Sequence, residues 1–204
     1  MKPTTQLDEA YWRRRYETNQ TGWDTGAITP PLREYFDQLG PADHRQILIP
    51  GAGRAYEAEY LHKKGFTNVF VADIALEALQ ALQQRVPDFP ATHLLLEDFF
   101  KLQPTAVVDM LVEQTFFCAL DPALRPAYAE QCFHLLRPGG ILVGLLFETD
   151  FGDSSEPPFG GTRQEYQSYF EPYFNFVHFE TAYNSLRPRQ GKELFICLKR
   201  KAAV

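Results

Sequence analysis

The chain has 204 residues, 45% hydrophobic and 23% charged, with a formal net charge of −6 at pH 7 and a pI near 5.4. That is enough chain for one domain with a sizeable core, and its acidic balance argues against a sequence-independent hold on nucleic acid. Cys118, Cys132 and Cys197 lie in apolar surroundings without close pairing or metal-ligand spacing, which excludes a disulfide framework and fits a reducing, cytoplasmic compartment.

Residues 8–16 read as a helix and 21–26 as a loop. Both tryptophans, Trp12 and Trp23, fall here, ahead of the first strand. A ring face attracts a cation by about 0.5–2 kcal/mol, so residues 1–40 are expected to form a lid over a cationic ligand. Packing of Trp12 into the core is the competing role. Pro30 and Pro31 open a second helix, with proline in its first turn, and Gly40-Pro41 closes it. No apolar stretch of the signal-peptide kind stands in residues 1–6.

The stretch 45–57, Arg-Gln-Ile-Leu-Ile-Pro-Gly-Ala-Gly-Arg-Ala-Tyr-Glu, organises the rest. Ile47, Leu48 and Ile49 make a short apolar run, as in a parallel strand buried on both faces. Pro50 ends it, and Gly51 and Gly53 supply a turn that tolerates positive φ and close approach of a ligand. A helix is predicted over 54–64, with Ala55, Ala58 and Leu61 on one face and Gly65 as its C-cap signal. The third glycine of a dinucleotide fingerprint would fall at position 56, where Tyr56 stands, and no phosphate-binding lysine follows. A ligand with ribose and adenine but no phosphate fits this loop better, S-adenosylmethionine being the common one. A tight turn that binds nothing is the alternative for a lone Gly-x-Gly.

Val69 to Ala72 lead into Asp73, about 22 positions after Gly51, the spacing of an acidic residue that bonds ribose hydroxyls. Asp73 also suits a cap for the helix predicted over 75–86; the two roles are compatible. A third strand is expected over 92–96, delivering Glu97-Asp98-Phe99-Phe100, where an acid can accept from an adenine amino group. A fourth, over 107–112, delivers Glu113-Gln114-Thr115-Phe116-Phe117-Cys118 beside the first strand, at the crevice where open α/β sheets bind ligands. A helix over 122–136, a turn over 137–140 and a buried strand over 141–147 follow. That last run is far too short to span a bilayer. The polar loop 148–161 is long for a compact domain and reads as a lid over the substrate. A short helix over 162–169 and strands over 174–183 and 193–199 complete a hairpin. The pattern predicts one α/β domain over residues 1–204: a Rossmann-like, doubly wound sheet of about seven strands with an antiparallel C-terminal hairpin. Glu156-Pro157-Pro158-Phe159 is similar to the Asp/Asn-Pro-Pro-Tyr motif of nucleic-acid amino-methyltransferases. It falls after the fifth strand rather than the fourth, so base methylation is rejected.

Taken together, Trp12, the run Gly22-Trp23-Asp24-Thr25-Gly26, Ile49-Pro50-Gly51-Ala52-Gly53, Asp73-Ile74, Glu97-Asp98-Phe99, the run from Thr115 through Phe116, Phe117 and Cys118 to Pro122, and Arg125-Pro126 resemble the thiopurine S-methyltransferase family. The similarity covers almost the whole chain and is greatest to the plant-type thiol and halide methyltransferases; Ala52 and Gln114 depart from the usual pattern. The resemblance implies a class I fold. It also implies that Trp12, Tyr16 and Trp23 close over S-adenosylmethionine, that Gly51 lies under its methionine part with Gly53 in the same turn, and that Asp73 holds the ribose. Asp98 and Phe99 would hold the adenine, and Gln114 would complete the wall.

The implied reaction is methyl transfer to a small soft nucleophile: a thiol, sulfide, thiocyanate or halide. It depends mainly on alignment of donor, methyl and acceptor, and a small anion needs no base, which agrees with the lack of a His-Asp or Cys-His pair. Phe116, Phe117, Phe147, Phe159 and Tyr166 are acceptor-pocket candidates, each with core packing as its competing role. A non-catalytic S-adenosylmethionine-binding protein stays open as an alternative. A nicotinamide-dependent oxidoreductase is the less favoured alternative: the chain shares its loop and Asp73 but has neither the third glycine nor the residues for a substrate domain. No membrane, nucleic-acid or metal partner is expected, and oligomeric state is not readable.

Overall fold

Side-chain alternation along the central strands decides the layers. The computed structural model describes residues 6–40, 44–103, 108–152 and 155–202. Strands β1 (Ile47–Pro50), β2 (Val69–Asp73), β3 (Leu94–Leu96), β4 (Val108–Gln114), β5 (Leu136–Phe147), β6 (Phe174–Thr181) and β7 (Glu193–Arg200) form one sheet in the order β3-β2-β1-β4-β5-β7-β6. The first five pair in parallel, and β7 runs antiparallel between β5 and β6. Ile47, Ile49, Val69, Val71, Met110 and Val112 point to one face, under helices α2 (Pro30–Asp37), α3 (Tyr56–Lys63) and α4 (Leu76–Arg85). Leu48, Ala72 and Leu111 point to the other, under α5 (Arg125–Leu135) and α6 (Arg163–Phe170). Successive residues of one strand thus feed both cores, as a doubly wound sheet requires. Each fully buried Leu, Ile or Phe contributes roughly 1.5–3 kcal/mol.

Several boundaries differ from the sequence expectation. Helix α3 starts at Tyr56 rather than 54, because Ala55 takes φ +53° and closes the glycine turn first. The third strand is shortened to Leu94–Leu96, since Ala91–His93 form a 3-10 turn after Pro90. Pro122–Leu124 are likewise 3-10, and α5 begins at Arg125. The turn expected over 137–140 lies inside β5, where pairing shifts from Val108↔Leu136 to Met110↔Ile141, so three residues of β5 loop out as a bulge at Gly139 and Gly140. Pro41 and Val107 lie outside the described residues. The three cysteines are buried and unpaired. No helix among the described residues is long and apolar enough to cross a membrane.

Helix α1 (Glu9–Glu17) precedes this body, capped by Asp8, whose side chain accepts from the Tyr11 N–H. It lies over the carboxyl ends of β1, β2 and β4, the switch point of the sheet.

Candidate active site

A cleft of about 1270 Å³ opens at those carboxyl ends. Its floor is the glycine turn, in which Gly51, Gly53 and Ala55 have φ of +59°, +55° and +53°. The Gly51 N–H donates to the Ala72 carbonyl (2.8 Å), which locks the turn to β2. A Cβ at Gly51 would stand 2.5 Å from Cγ and 2.8 Å from Cβ of Phe116 and would collide with Cδ2 as well, so the Phe116 ring occupies the space that any side chain here would need.

Asp73 ends β2 on the cleft wall. Its Oδ1 accepts from the Ala75 N–H (2.8 Å), so the turn-capping role is present. Burial pushes the Asp73 carboxyl up to about 6, against the lowering pull of the N–H groups of Ala75, Gly53, Ala52 and Ile74. A hydroxyl donor arriving there would relieve part of that cost.

The part of the wall supplied by residues 12–23 is aromatic. Trp12 and Tyr16 each meet Trp23 edge to face, with centroids 5.6 Å apart in both pairs. The indole Nε1 of Trp23 is buried without a hydrogen-bond partner among the described residues, and a Cβ at Gly53 would lie 3.4 Å from it. A buried donor left unpaired costs about 1–3 kcal/mol, and this one faces the floor of the cleft. An acceptor-bearing ligand lying on Gly51 and Gly53 would satisfy it. Asp24 anchors the same loop by accepting from the Gly26 N–H (2.8 Å), the Tyr56 hydroxyl (2.9 Å) and Arg54 Nε (3.1 Å). Burial works to raise the Asp24 carboxyl, but these partners together hold it below the ordinary range. Tyr56, standing where a third glycine would be, serves this anchor. Arg15 spans outward from α1, donating to Tyr11, Gln20 and, at 3.0 Å, Glu156 of the 148–161 loop.

The end of β4 is held by a buried carboxylate. Oε1 of Glu113 accepts from the N–H groups of Phe116 (2.8 Å) and Phe117 (2.9 Å), and Oε2 from the Tyr128 hydroxyl (2.7 Å). These bonds fix a turn in which Thr115 has φ +60°. Burial still pushes the Glu113 carboxyl up to about 7. Gly144 of β5 makes room for it, since a Cβ there would lie 2.8 Å from the Glu113 Cα and collide with its Cβ and carbonyl oxygen. Gly144, Glu113, Phe116 and Gly51 are therefore one chain of contacts from the sheet to the cleft floor.

Of the residues named from sequence for the donor, Trp12, Tyr16, Trp23, Gly51, Gly53, Asp73, Asp98 and Phe99 all line this cleft. Asp98 also caps the 3-10 turn that follows it, accepting from the Phe100 N–H (3.0 Å), and Phe99 is mostly core, packed on Phe116 and Tyr128. Gln114 is not on the wall; its Oε1 accepts from the Thr29 hydroxyl (3.2 Å) at the start of α2. Of the acceptor candidates, Phe116 and Phe147 line the cleft. Phe117 and Tyr166 are buried in the core behind it, with Arg125 over both rings and the Tyr166 hydroxyl donating to the Phe147 carbonyl. Phe159 faces a separate surface recess, while its N–H donates to the Cys118 carbonyl (2.7 Å).

Some wall residues were not singled out from sequence. Arg189, in the connection before β7, lies 5.4 Å from the Phe147 ring centroid and donates to the Trp23 carbonyl (3.0 Å). The signal was that connection itself, since hairpin loops usually take 2–5 residues and this one spans more. Pro157 and Pro158, set aside as a misleading motif, also line the cleft. The Cys118 thiol is on the wall, but burial pushes it up to about 12 and leaves it protonated.

The family model for thiopurine S-methyltransferase matches residues 7–203. A protein named "Probable thiol methyltransferase 2" from Arabidopsis thaliana is 30% identical over 187 residues, 89% of this chain and 81% of that one. A thiocyanate methyltransferase of Brassica oleracea is 28% identical over 194 residues, 92% and 83% of the two chains. The fold is shared with a solved structure from Burkholderia thailandensis, 1,6-didemethyltoxoflavin-N1-methyltransferase with bound S-adenosylhomocysteine. That structure has a TM-score of 0.76 at 20% identity, covering 95% of this chain and 87% of the other.

Proposed function

The chain belongs to the thiopurine S-methyltransferase family and is an S-adenosylmethionine-dependent methyltransferase; from that premise we propose that its acceptor is a small soft anion or thiolate, held at the Phe147 and Arg189 end of the cleft. S-adenosylmethionine supplies a methyl group on a positively charged sulfur. For the donor, Gly51 and Gly53 form the floor, Asp73 accepts from the ribose hydroxyls, and Asp98 and Phe99 take the adenine. Trp12, Tyr16 and Trp23 cover the cation, and the free Trp23 N–H supports a hydrogen bond to an acceptor group of the donor molecule.

The observation that carries the acceptor class is Arg189. A guanidinium beside the Phe147 ring, with its side chain 12% exposed, offers directed donors to an anion that leaves its water behind. The new bond forms between the anion and the methyl carbon as the carbon–sulfonium bond breaks, and the electron pair of that bond stays on sulfur. Charge vanishes on both partners, so no proton needs to move and no base is required. Phe116, pinned by Glu113, and Phe147, pinned by its pairing with Glu193, restrict the approach to the methyl group. Alignment of this kind supplies up to roughly 7–11 kcal/mol. The curated relatives named for thiol and thiocyanate methylation support the same acceptor class.

The test is release of S-adenosylhomocysteine by the purified protein, offered S-adenosylmethionine with iodide, thiocyanate, sulfide, an aryl thiol and a thiopurine in parallel. Turnover with the small anions or sulfide is expected. Turnover confined to the thiopurine, or to no acceptor while the donor binds, refutes the acceptor class.

A further inference from the structure

The cation at the acceptor end is backed by carboxylates that the reaction, as described so far, does not use. Arg189 Nη1 donates to Oε1 of Glu193 (3.3 Å), and Glu193 is 2% exposed. Its other oxygen, Oε2, makes no hydrogen bond of ordinary length among the described residues; burial pushes the carboxyl up, and the Ser185 hydroxyl lies close enough to pull it down against that larger push. Glu193 is the first residue of β7 and pairs with Phe147, the last residue of β5, so ring and carboxylate form the final rung of that ladder. Glu57, 5% exposed at the start of α3, is a second buried carboxylate in the field of Arg189. Lys192 is the other cation on this part of the wall, and it is exposed to solvent.

Burying a carboxylate costs free energy unless it is paired and fully bonded. Glu193 has one bonded oxygen and one without a bond of ordinary length. If Arg189 served only to pull an anion in, an uncharged partner at position 193 would leave a stronger field and a cheaper fold. The geometry instead places a carboxylate directly behind the guanidinium.

We propose, resting on the reading of Arg189 given above, that Glu193 is a positioning residue that sets the charge of the acceptor end. It holds the guanidinium against the cleft and cancels much of its field, so that the anion is oriented by N–H donors without being trapped. The physical reason lies in the charge change of the reaction. The acceptor is fully anionic when bound and neutral once methylated, so an uncompensated positive field stabilises the ground state more than the transition state and slows the chemical step. Arg189 keeps its two fixed bonds, to Glu193 and to the Trp23 carbonyl, leaving its remaining N–H groups for the acceptor.

The experiment is steady-state kinetics of the full-length protein carrying Glu193→Gln, which keeps the shape and the acceptor oxygen but removes the charge. Iodide is the acceptor, because it does not titrate. KM for iodide is expected to fall roughly tenfold and kcat to fall by a similar factor, with KM for S-adenosylmethionine unchanged. A purely structural role predicts the opposite pattern, a raised KM from a loosened Arg189. That result, or unchanged constants in a folded variant, overturns the proposal. Should Glu193→Gln not fold, Glu193→Met, neutral and of similar volume, is read in the same assay: a joint fall of iodide KM and kcat supports the proposal, and a raised or unchanged KM overturns it. Wild-type protein that methylates none of the small anions would sink the acceptor reading itself, whereas wild-type turnover with insensitivity at position 193 sinks only this inference.

Discussion

Replacing Gly51 with alanine tests the floor of the cleft. The residue sits at φ +59°, where an alanine costs about 1–2 kcal/mol. The added methyl would meet Phe116 at Cγ (2.5 Å) and Cβ (2.8 Å), atoms near the root of the side chain that cannot swing aside without moving backbone. That backbone is held by the two N–H bonds to Glu113, so overpacking adds about 1–3 kcal/mol. Gly51→Ala is therefore expected to lose roughly 2–5 kcal/mol of stability and to weaken donor binding, because Phe116 and the turn shift together. Gly53→Ala is the control. Its φ is +55°, but its new methyl would lie 3.4 Å from the Trp23 ring, an ordinary contact, so only the conformational cost of about 1–2 kcal/mol applies to stability. Urea unfolding of both variants, with calorimetry of S-adenosylhomocysteine binding, measures the difference. Equal stabilities within about 0.5 kcal/mol would refute the claim that Phe116 is packed immovably on Gly51.

Asp73→Ala is expected to weaken S-adenosylmethionine binding by about 1–3 kcal/mol. In the wild type the affinity should decline as pH falls through about 6, where the Asp73 carboxyl takes up a proton; calorimetry showing unchanged affinity in the variant would remove Asp73 from the donor site. Glu113, pushed from about 4.5 to about 7 in the folded protein, binds its proton more tightly folded than unfolded. Its contribution is thus present below about pH 4.5 and lost as pH rises toward 7, a decline of about 3 kcal/mol. Glu57, also shifted to about 7, and Asp73 and Glu193, also raised by burial, act with the same sign, so Glu113→Gln should remove part of the combined decline; an unchanged stability difference between pH 5 and pH 7 in urea unfolding would refute this.

The strands and their order of use were legible because apolar runs such as Ile47-Leu48-Ile49 leave little choice but a buried parallel strand. Most of the cleft wall was legible too, since glycine turns and an acid at the end of the second strand are local signals. The Phe147 and Arg189 end of the cleft was not. Phe117 and Tyr166 look no different in sequence from Phe116 and Phe147, and only packing sorts them: Arg125 claims the first two from behind, through contacts 5.0 and 5.4 Å from their ring centroids. Gln114 was placed on the wall by resemblance, whereas Thr29, 85 positions away, holds it. Arg189 escaped notice because the Trp23 carbonyl that fixes it lies 166 positions away in the chain.

The last rung of the β5–β7 ladder divides the molecule into a part that must be inherited intact and a part free to drift. Up to Phe147 and Glu193, every position is tied to a register in which one inserted residue would turn each inward side chain outward. Beyond that rung the pairing thins to the Glu148 N–H bond to the Lys192 carbonyl (2.7 Å) and an isolated Thr149–Gly161 bridge, and the loops 148–161 and 182–192 follow. Those loops carry Pro157, Pro158 and Arg189. A lineage can therefore lengthen, shorten or recharge them and so reshape that side of the cleft, while the glycine turn and Asp73, built on the register of β1 and β2, stay as they were.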